Sequence, residues 1–134
     1  MAAFTLHIVT PESTIFSGSV KSLQAPGTQG SFGVLARHAP MIAAMKIGML
    51  GFVEEGASHS RTLACSGGFV EVQGDSVTVL AEAAEFGEAI DRGRAEAASQ
   101  RARERLSQGQ GVDSARAEAA LAKALNRLRI AIRD

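Results

Sequence analysis

Tryptophan and tyrosine are both missing from this chain, cysteine occurs once, and proline occurs three times. The six Phe are therefore the whole aromatic supply, too few to line a stacking platform for single-stranded nucleic acid. The lone Cys65 excludes an internal disulfide and fits a reducing compartment. No sign of charge dominates. The 14 Lys and Arg balance 14 Asp and Glu, so the basic footprint of a nucleic-acid binder is absent from the chain as a whole. No apolar run approaches the roughly 20 residues that a membrane-spanning helix needs. The opening Met1-Ala2-Ala3-Phe4-Thr5-Leu6-His7 has neither a basic n-region nor a long apolar h-region, so no secretory leader is expected. A role at a membrane then requires a partner that brings the chain there.

What the chain does contain is enough to fold. It is 46% hydrophobic and 21% charged, within the range of globular domains. Its character changes near residue 84. Ten of the fourteen Gly lie before that point, between Gly18 and Gly74. Ten of the fourteen Lys and Arg lie after it, between Arg92 and Arg133. Turn-rich β structure giving way to helices produces such a shift.

The first part carries strand signals. Phe4, Leu6 and Ile8 alternate with Thr5, His7 and Val9. The runs 69–72 and 76–80 flank Gly74-Asp75 and predict a hairpin. Further short runs at 20–23, 32–35, 49–53 and 61–65 are punctuated by Pro26, Gly27, Gly30, Pro40, Gly48 and Gly56. Together they predict a sandwich or barrel with no βαβ alternation.

The second part is helical. Leu121, Leu125, Leu128 and Ile132 form one stripe, with Asp113 or Ser114 as N-cap. An earlier segment, about 89–106, carries Ala98, Ala102 and Leu106 on a stripe, and Gly109 and Gly111 separate the two segments. The expected architecture is an all-β N-terminal sandwich or barrel, 1–85, followed by a C-terminal α-helical hairpin, 86–134. Alanine buries little area per residue at ~25 cal/mol per Å², so the hairpin should be a weakly held, movable arm.

No motif here specifies catalysis. Gly27, Gly30 and Gly33 lack the following helix and the Lys-Ser/Thr of a phosphate loop, and are explained as turn glycines. His7, His38, His59 and Cys65 match no metal-ligand spacing. Ser66-Gly67-Gly68 lacks the flanks of a nucleophile elbow. The Arg92 to Arg105 stretch interleaves with Glu96 and Glu104, as a solvated helix face would. Yet nine of the ten basic residues after 84 are Arg, the residue suited to bidentate contacts with phosphate or carboxylate.

The segment Gly30-Ser31-Phe32-Gly33-Val34-Leu35-Ala36-Arg37-His38-Ala39-Pro40-Met41-Ile42 resembles the Gly-x-φ-Gly-φ-φ-Pro-Gly-His-Ala-Pro-φ-φ pattern (φ apolar) of the epsilon subunit of bacterial F-type ATP synthases, the equivalent of the mitochondrial delta subunit. Phe16-Ser17-Gly18, Lys46-Ile47-Gly48, Ser66-Gly67-Gly68-Phe69-Val70-Glu71-Val72, Val77-Thr78-Val79-Leu80-Ala81-Glu82, Leu121-Ala122-Lys123-Ala124-Leu125 and Leu128-Arg129 follow in the family's order. Ala36-Arg37 departs from the usual Pro-Gly, which questions the tight turn before His38.

The resemblance implies a non-catalytic central-stalk subunit that turns with gamma and the c-ring and couples proton flow to ATP synthesis. It implies a c-ring contact at Thr28, Gln29, Gly30 and Ser31, a gamma contact near His38, and transient contact of the arm with the alpha and beta subunits. It places the protein peripherally on the cytoplasmic face of the bacterial plasma membrane, attached through partners, with no required cofactor and no metal. Ile90-Asp91-x-x-Arg94-Ala95 is similar to the motif of members whose hairpin binds ATP as a regulatory ligand. That similarity nominates Ile90, Asp91, Arg94, Ala95, Arg101 and Arg127, with Glu85 and Lys123 at related positions. The alternative to be tested is a stand-alone nucleotide-sensing or nucleic-acid-binding β module.

Overall fold

The computed structural model describes residues 2–109 and 113–133, with side chains through residue 131. The chain divides into two compact units, Met1–Phe86 and Gly87–Asp134.

The first unit is entirely β. Its strands are β1 (Phe4–Val9), β2 (Thr14–Gly27), β3 (Gly30–Leu35), β4 (Met41–Glu54), β5 (Ser60–Gln73), β6 (Ser76–Ala81) and β7 (Ala84–Phe86). They hydrogen-bond in the order β1-β6-β5-β4-β2-β3, and β1 also pairs with β2. That second pairing closes a ring of five strands, with β3 outside it on β2 and β7 on β5. The β1–β6 pair is parallel and the other pairs are antiparallel. The expected all-β sandwich or barrel is thus what forms.

Alternation fills the interior. Leu6, Ile8, Val20, Leu23, Val34, Leu50, Phe52, Leu63, Val70, Val77 and Val79 are all buried. At one edge of this core Phe16 and Phe52 lie with ring centroids 4.4 Å apart. The Arg61 guanidinium sits 4.1 Å over the Phe86 ring and pairs with Glu54 at 3.1 Å.

The strands differ from the sequence reading in one respect. Where the sequence predicts several short runs, β2, β4 and β5 are each 14 residues long. Pro26 and Gly48 do not end their strands, although the β2–β4 register shifts between Gln24 and Gly27, and the two residues pack on one another. A Cβ on Gly48 would meet the Pro26 ring at 2.6 Å, so the missing side chain is what lets Pro26 lie inside the sheet. Cys65 falls in mid-strand rather than at a strand end.

Strand β5 bends at Gly67 (φ 106) and Gly68 (φ 129), backbone conformations that residues with a Cβ rarely adopt. The bend lets one strand hold β4 along its whole length while β6 and then β7 follow its other edge. A Cβ on Gly68 would overlap the Leu80 carbonyl oxygen.

The second unit begins with a 3₁₀ turn, Gly87–Ala89, followed by α1 (Arg92–Gln108) and α2 (Ser114–Arg133). Helix α1 starts later than the sequence predicts because Asp91 caps it. The Asp91 carboxylate accepts from the Arg94 amide at 3.1 Å. Asp113 does the same for Arg116 at 3.1 Å, which settles the choice between Asp113 and Ser114. The predicted Gly111 break lies outside the described residues.

The stripes shift as well. In α1 the buried residues are Ala95, Ser99 and Ala102, with Ala98 and Leu106 half-buried. In α2 Ala117, Ala124, Asn126 and Ile130 are buried, Leu121 and Leu128 are half-buried, and Leu125 is 40% exposed. The side chain of Ile132 lies outside the described residues. Small residues occupy the seam because they let two backbones approach closely. The larger leucines are displaced to its margins. Ser99 meets its hydrogen-bonding need within the helix, donating to the Glu96 carbonyl at 2.8 Å.

Gly68→Ala combines backbone strain with a steric overlap against backbone. It is expected to destabilise the β unit by about 3 kcal/mol or more, read as a lower urea midpoint at unchanged slope. A wild-type midpoint would show that the bend carries no such constraint.

Candidate functional site

The β2–β3 hairpin places Thr28 and Gln29 at its tip, with Gly27 paired to Gly30. Thr28, Gln29, Gly30 and Ser31 are all exposed. The tip is not loose, because the Thr28 amide donates to the Ala44 carbonyl at 3.0 Å. The nominated tip residues line an open cavity of about 490 Å³ together with Phe32, Ile42, Ala43 and Ala44. Gly27 and Gly30 therefore serve the turn, whereas Gly33, expected in a turn, lies within β3 opposite Gln24.

His38 lies beyond the far end of β3, five residue steps of about 3.4 Å, or roughly 17 Å, from the tip. It is half-buried, and its Nδ1 lies 2.7 Å from the Ala39 carbonyl oxygen. Before it, Arg37 adopts φ 64. The turn for which the family uses Pro-Gly is thus kept, with Arg37 in the left-handed region at a cost of about 1 kcal/mol.

Between these two sites runs a surface absent from the sequence reading. Leu80 is paired with Val9 on one side and Phe69 on the other, and Phe69 is paired with Ala44. These four side chains form an apolar row across β1, β6, β5 and β4 on the outer face. Ile42 lies two residues along β4 from Ala44, opposite Glu71. Ile42 is 71% exposed, Phe69 53% and Leu80 50%. Phe69 is the one Phe of six that is exposed. Ile42 also borders a second cavity of about 450 Å³ with Pro40, Met41, Glu71, Val72 and Gln73. The row, the hairpin tip and the segment after His38 thus converge on the first residues of β4. The signal was present in the sequence as a break of parity. Phe69 shares its face with Glu71, and Leu80 shares its face with Thr78, so two large apolar residues stand on a polar face.

The helical unit gathers a separate group. Arg94, Arg101 and Arg127, with Ala97 and Ala98, line a cavity of about 390 Å³. Three of the nominated nucleotide residues therefore meet. The other nominated residues of this motif lie outside that lining. Ile90 and Ala95 are buried, and Asp91 caps α1. Lys123 is exposed on α2, and Glu85 belongs to β7 of the first unit. A cavity of this size lined by three guanidinium groups and small side chains can hold an anion by charge-assisted hydrogen bonds.

Cys65 is buried, and its thiol is pushed up from its ordinary value. Desolvation is the main cause, the Glu82 charge adds to it, and a backbone hydrogen bond at Gly67 opposes it. It is an inert core side chain. Among the described residues no three of His, Cys, Asp and Glu stand together as metal ligands.

Comparison with known proteins gives a consistent result. The family model for the β-sandwich domain of the ATP synthase delta/epsilon chain matches residues 3–87, and that for its long α-helix domain matches residues 88–131. The chain is similar to the ATP synthase epsilon chain of Bacillus subtilis, 46% identical over 132 residues and 98% of each chain. It is also similar to that of Pelotomaculum thermopropionicum, 50% identical over 103 residues, 77% of this chain and 75% of that one. Among solved structures, its fold is shared with a chain in the Euglena gracilis mitochondrial ATP synthase (OSCP/F1/c-ring) at TM-score 0.78 and 22% identity. That match covers all of this chain and 83% of the other. A chain in the central stalk and c-ring structure of the Tetrahymena thermophila mitochondrial ATP synthase matches at TM-score 0.56 and 14% identity, covering 96% and 93%.

The division of labour in the motif is testable. Asp91→Ala removes the cap and is expected to destabilise the hairpin by about 1 kcal/mol, whereas Arg94→Ala leaves its helical melting transition unchanged. Equal effects on thermal circular dichroism would contradict the assignment of Asp91 to capping.

Proposed function

This chain belongs to the delta/epsilon family of ATP synthase subunits, and we propose that it is the central-stalk coupling subunit of an F-type enzyme whose catalytic sites lie on other chains. In this reading the β unit docks on gamma through the row Val9, Leu80, Phe69 and Ala44 with Ile42, and His38 lies at the margin of that contact. The hairpin tip at Thr28, Gln29, Gly30 and Ser31 meets the c-ring. The observation that carries the reading is the exposed row itself. Three large apolar side chains at half exposure or more, joined across neighbouring strands, are the composition of an interface core. Membrane association then comes through partners. No helix among the described residues is long and apolar enough to cross a bilayer.

The helical unit is the regulatory part of the proposal. Its alanine seam is thin, so two arrangements of the arm can differ by only a few kcal/mol, and a ligand with unequal affinity for them selects one. Arg94, Arg101 and Arg127 around a single cavity support ATP as that ligand.

The two halves of the proposal have separate tests. Ile42→Glu with Phe69→Glu places charge in the row and is expected to cost ~2 kcal/mol or more, weakening the complex with gamma at least about 30-fold in a pull-down titration. Undiminished binding by a correctly folded double variant would refute docking through this face.

For the arm, calorimetry with Mg-ATP is expected to show binding that Arg94→Ala weakens about 10-fold or more, the loss of one charge-assisted contact. Binding unchanged by Arg94→Ala would remove that residue from the site.

A further inference from the structure

The cavity at Arg94, Arg101 and Arg127 is the end of a longer feature. On α1, Arg94, Arg101 and Arg105 follow i, i+7, i+11, which at 3.6 residues per turn lie in one line along the helix. On α2, Arg116, Lys123 and Arg127 follow the same spacing. In each helix this line sits at the same offset from the buried seam. The seam is Ala95, Ser99 and Ala102 on α1 and Ala117 and Ala124 on α2, whose Asn126 and Ile130 are buried on a different face of the helix. Because the two helices of a hairpin run in opposite directions, equal offsets put both lines on one side of it. The shared lining of the cavity by Arg94, Arg101 and Arg127 agrees with that placement.

The acidic residues of the helices fall elsewhere. Glu96 is on the opposite flank of α1 with Arg92, 3.8 Å away, and Glu104 is on the back of the helix. Glu118 takes the opposite flank of α2. The basic side therefore carries six cations, five of them Arg, with no helical carboxylate in its line. Eleven residues at 1.5 Å make each line about 16 Å long, well beyond the three cations that border the cavity. Arg105, Arg116 and Lys123 are exposed along the remainder.

We propose that this side of the hairpin is a polyanion groove that takes linear inorganic polyphosphate, with the cavity as its inner end. The inference rests on reading that cavity as a phosphate site, and extends it along the arm. Guanidinium groups in two side-by-side rows, joined by the Lys123 ammonium, offer donors to successive phosphates, which compact acidic side chains on a peptide match less well. Multivalent contact along the groove favours long chains over short ones.

The test is calorimetry of the full chain with ATP, tripolyphosphate, long-chain polyphosphate and polyglutamate at one ionic strength. Long-chain polyphosphate is expected to bind about 10-fold or more tighter than tripolyphosphate. Arg105→Gln with Arg116→Gln should reduce that gap to about twofold, while affinity for ATP and tripolyphosphate stays unchanged. Arg92→Gln with Arg103→Gln, on the opposite flank, should leave the gap intact. A gap that survives the first pair, or that the second pair erases equally, overturns the groove. Polyglutamate binding as tightly as polyphosphate overturns the ligand class. Tripolyphosphate binding without ATP binding would refute the nucleotide reading and leave the groove standing. Absence of polyphosphate binding alongside intact ATP binding would refute the groove alone.

Discussion

The close approach of Gly68 to the Leu80 carbonyl is the constraint on which the β unit depends. At that point β5 turns, holding β4 along one edge and β6 then β7 along the other, and the five-strand ring closes through β1. The same pairing sets Phe69 opposite Leu80 in the next register position. The close β5–β6 approach at Gly68 thus also lines up the outer apolar row. Core and surface are coupled here, because a one-residue slip of β5 against β6 would turn Phe69 inward and Val70 outward.

That coupling explains how a small subunit can present a fixed docking face. The row is anchored on strands paired on both sides, and the hairpin tip beside it is tied to β4 by the Thr28 amide. In the proposed docking, torque passed through this face would meet backbone ladders and not loops. The helical unit is built the other way. The seam between its helices is alanine and serine, with Asn126 and Ile130 also buried on α2, its helix starts are capped by Asp91 and Asp113, and six of its cations lie along one flank.

Much of this was legible in the sequence, for physical reasons. The period-2 runs marked β1 and the β5–β6 hairpin, and the change from glycine to arginine marked the passage from strands to helices. What misled the reading was punctuation. Pro26 and Gly48 look like strand ends in a linear chain, yet they pack on one another across the sheet, and the cost is a shift of the β2–β4 register between Gln24 and Gly27. Leu125 looked like core because leucine dominates a periodic pattern, yet the close helix contact selects Ala117 and Ala124. The family motif brought Arg94, Arg101 and Arg127 forward as one site, and the hairpin does join them. Ile90 and Ala95 of the same motif are buried, and Asp91 caps α1, none of which a motif alone makes visible. The apolar row was missed because each of its residues is ordinary alone and becomes a surface only through cross-strand register.

The central claim is that the β unit alone couples rotation and that the helical arm only regulates it. Reconstitution of the ATP synthase with a chain ending at Phe86 tests this most directly, by measuring proton-driven ATP synthesis alongside ATP hydrolysis. The account predicts an assembled complex with synthesis close to that of the full chain and hydrolysis no longer responsive to the arm. Failure to assemble, or proton flow uncoupled from synthesis, would contradict it.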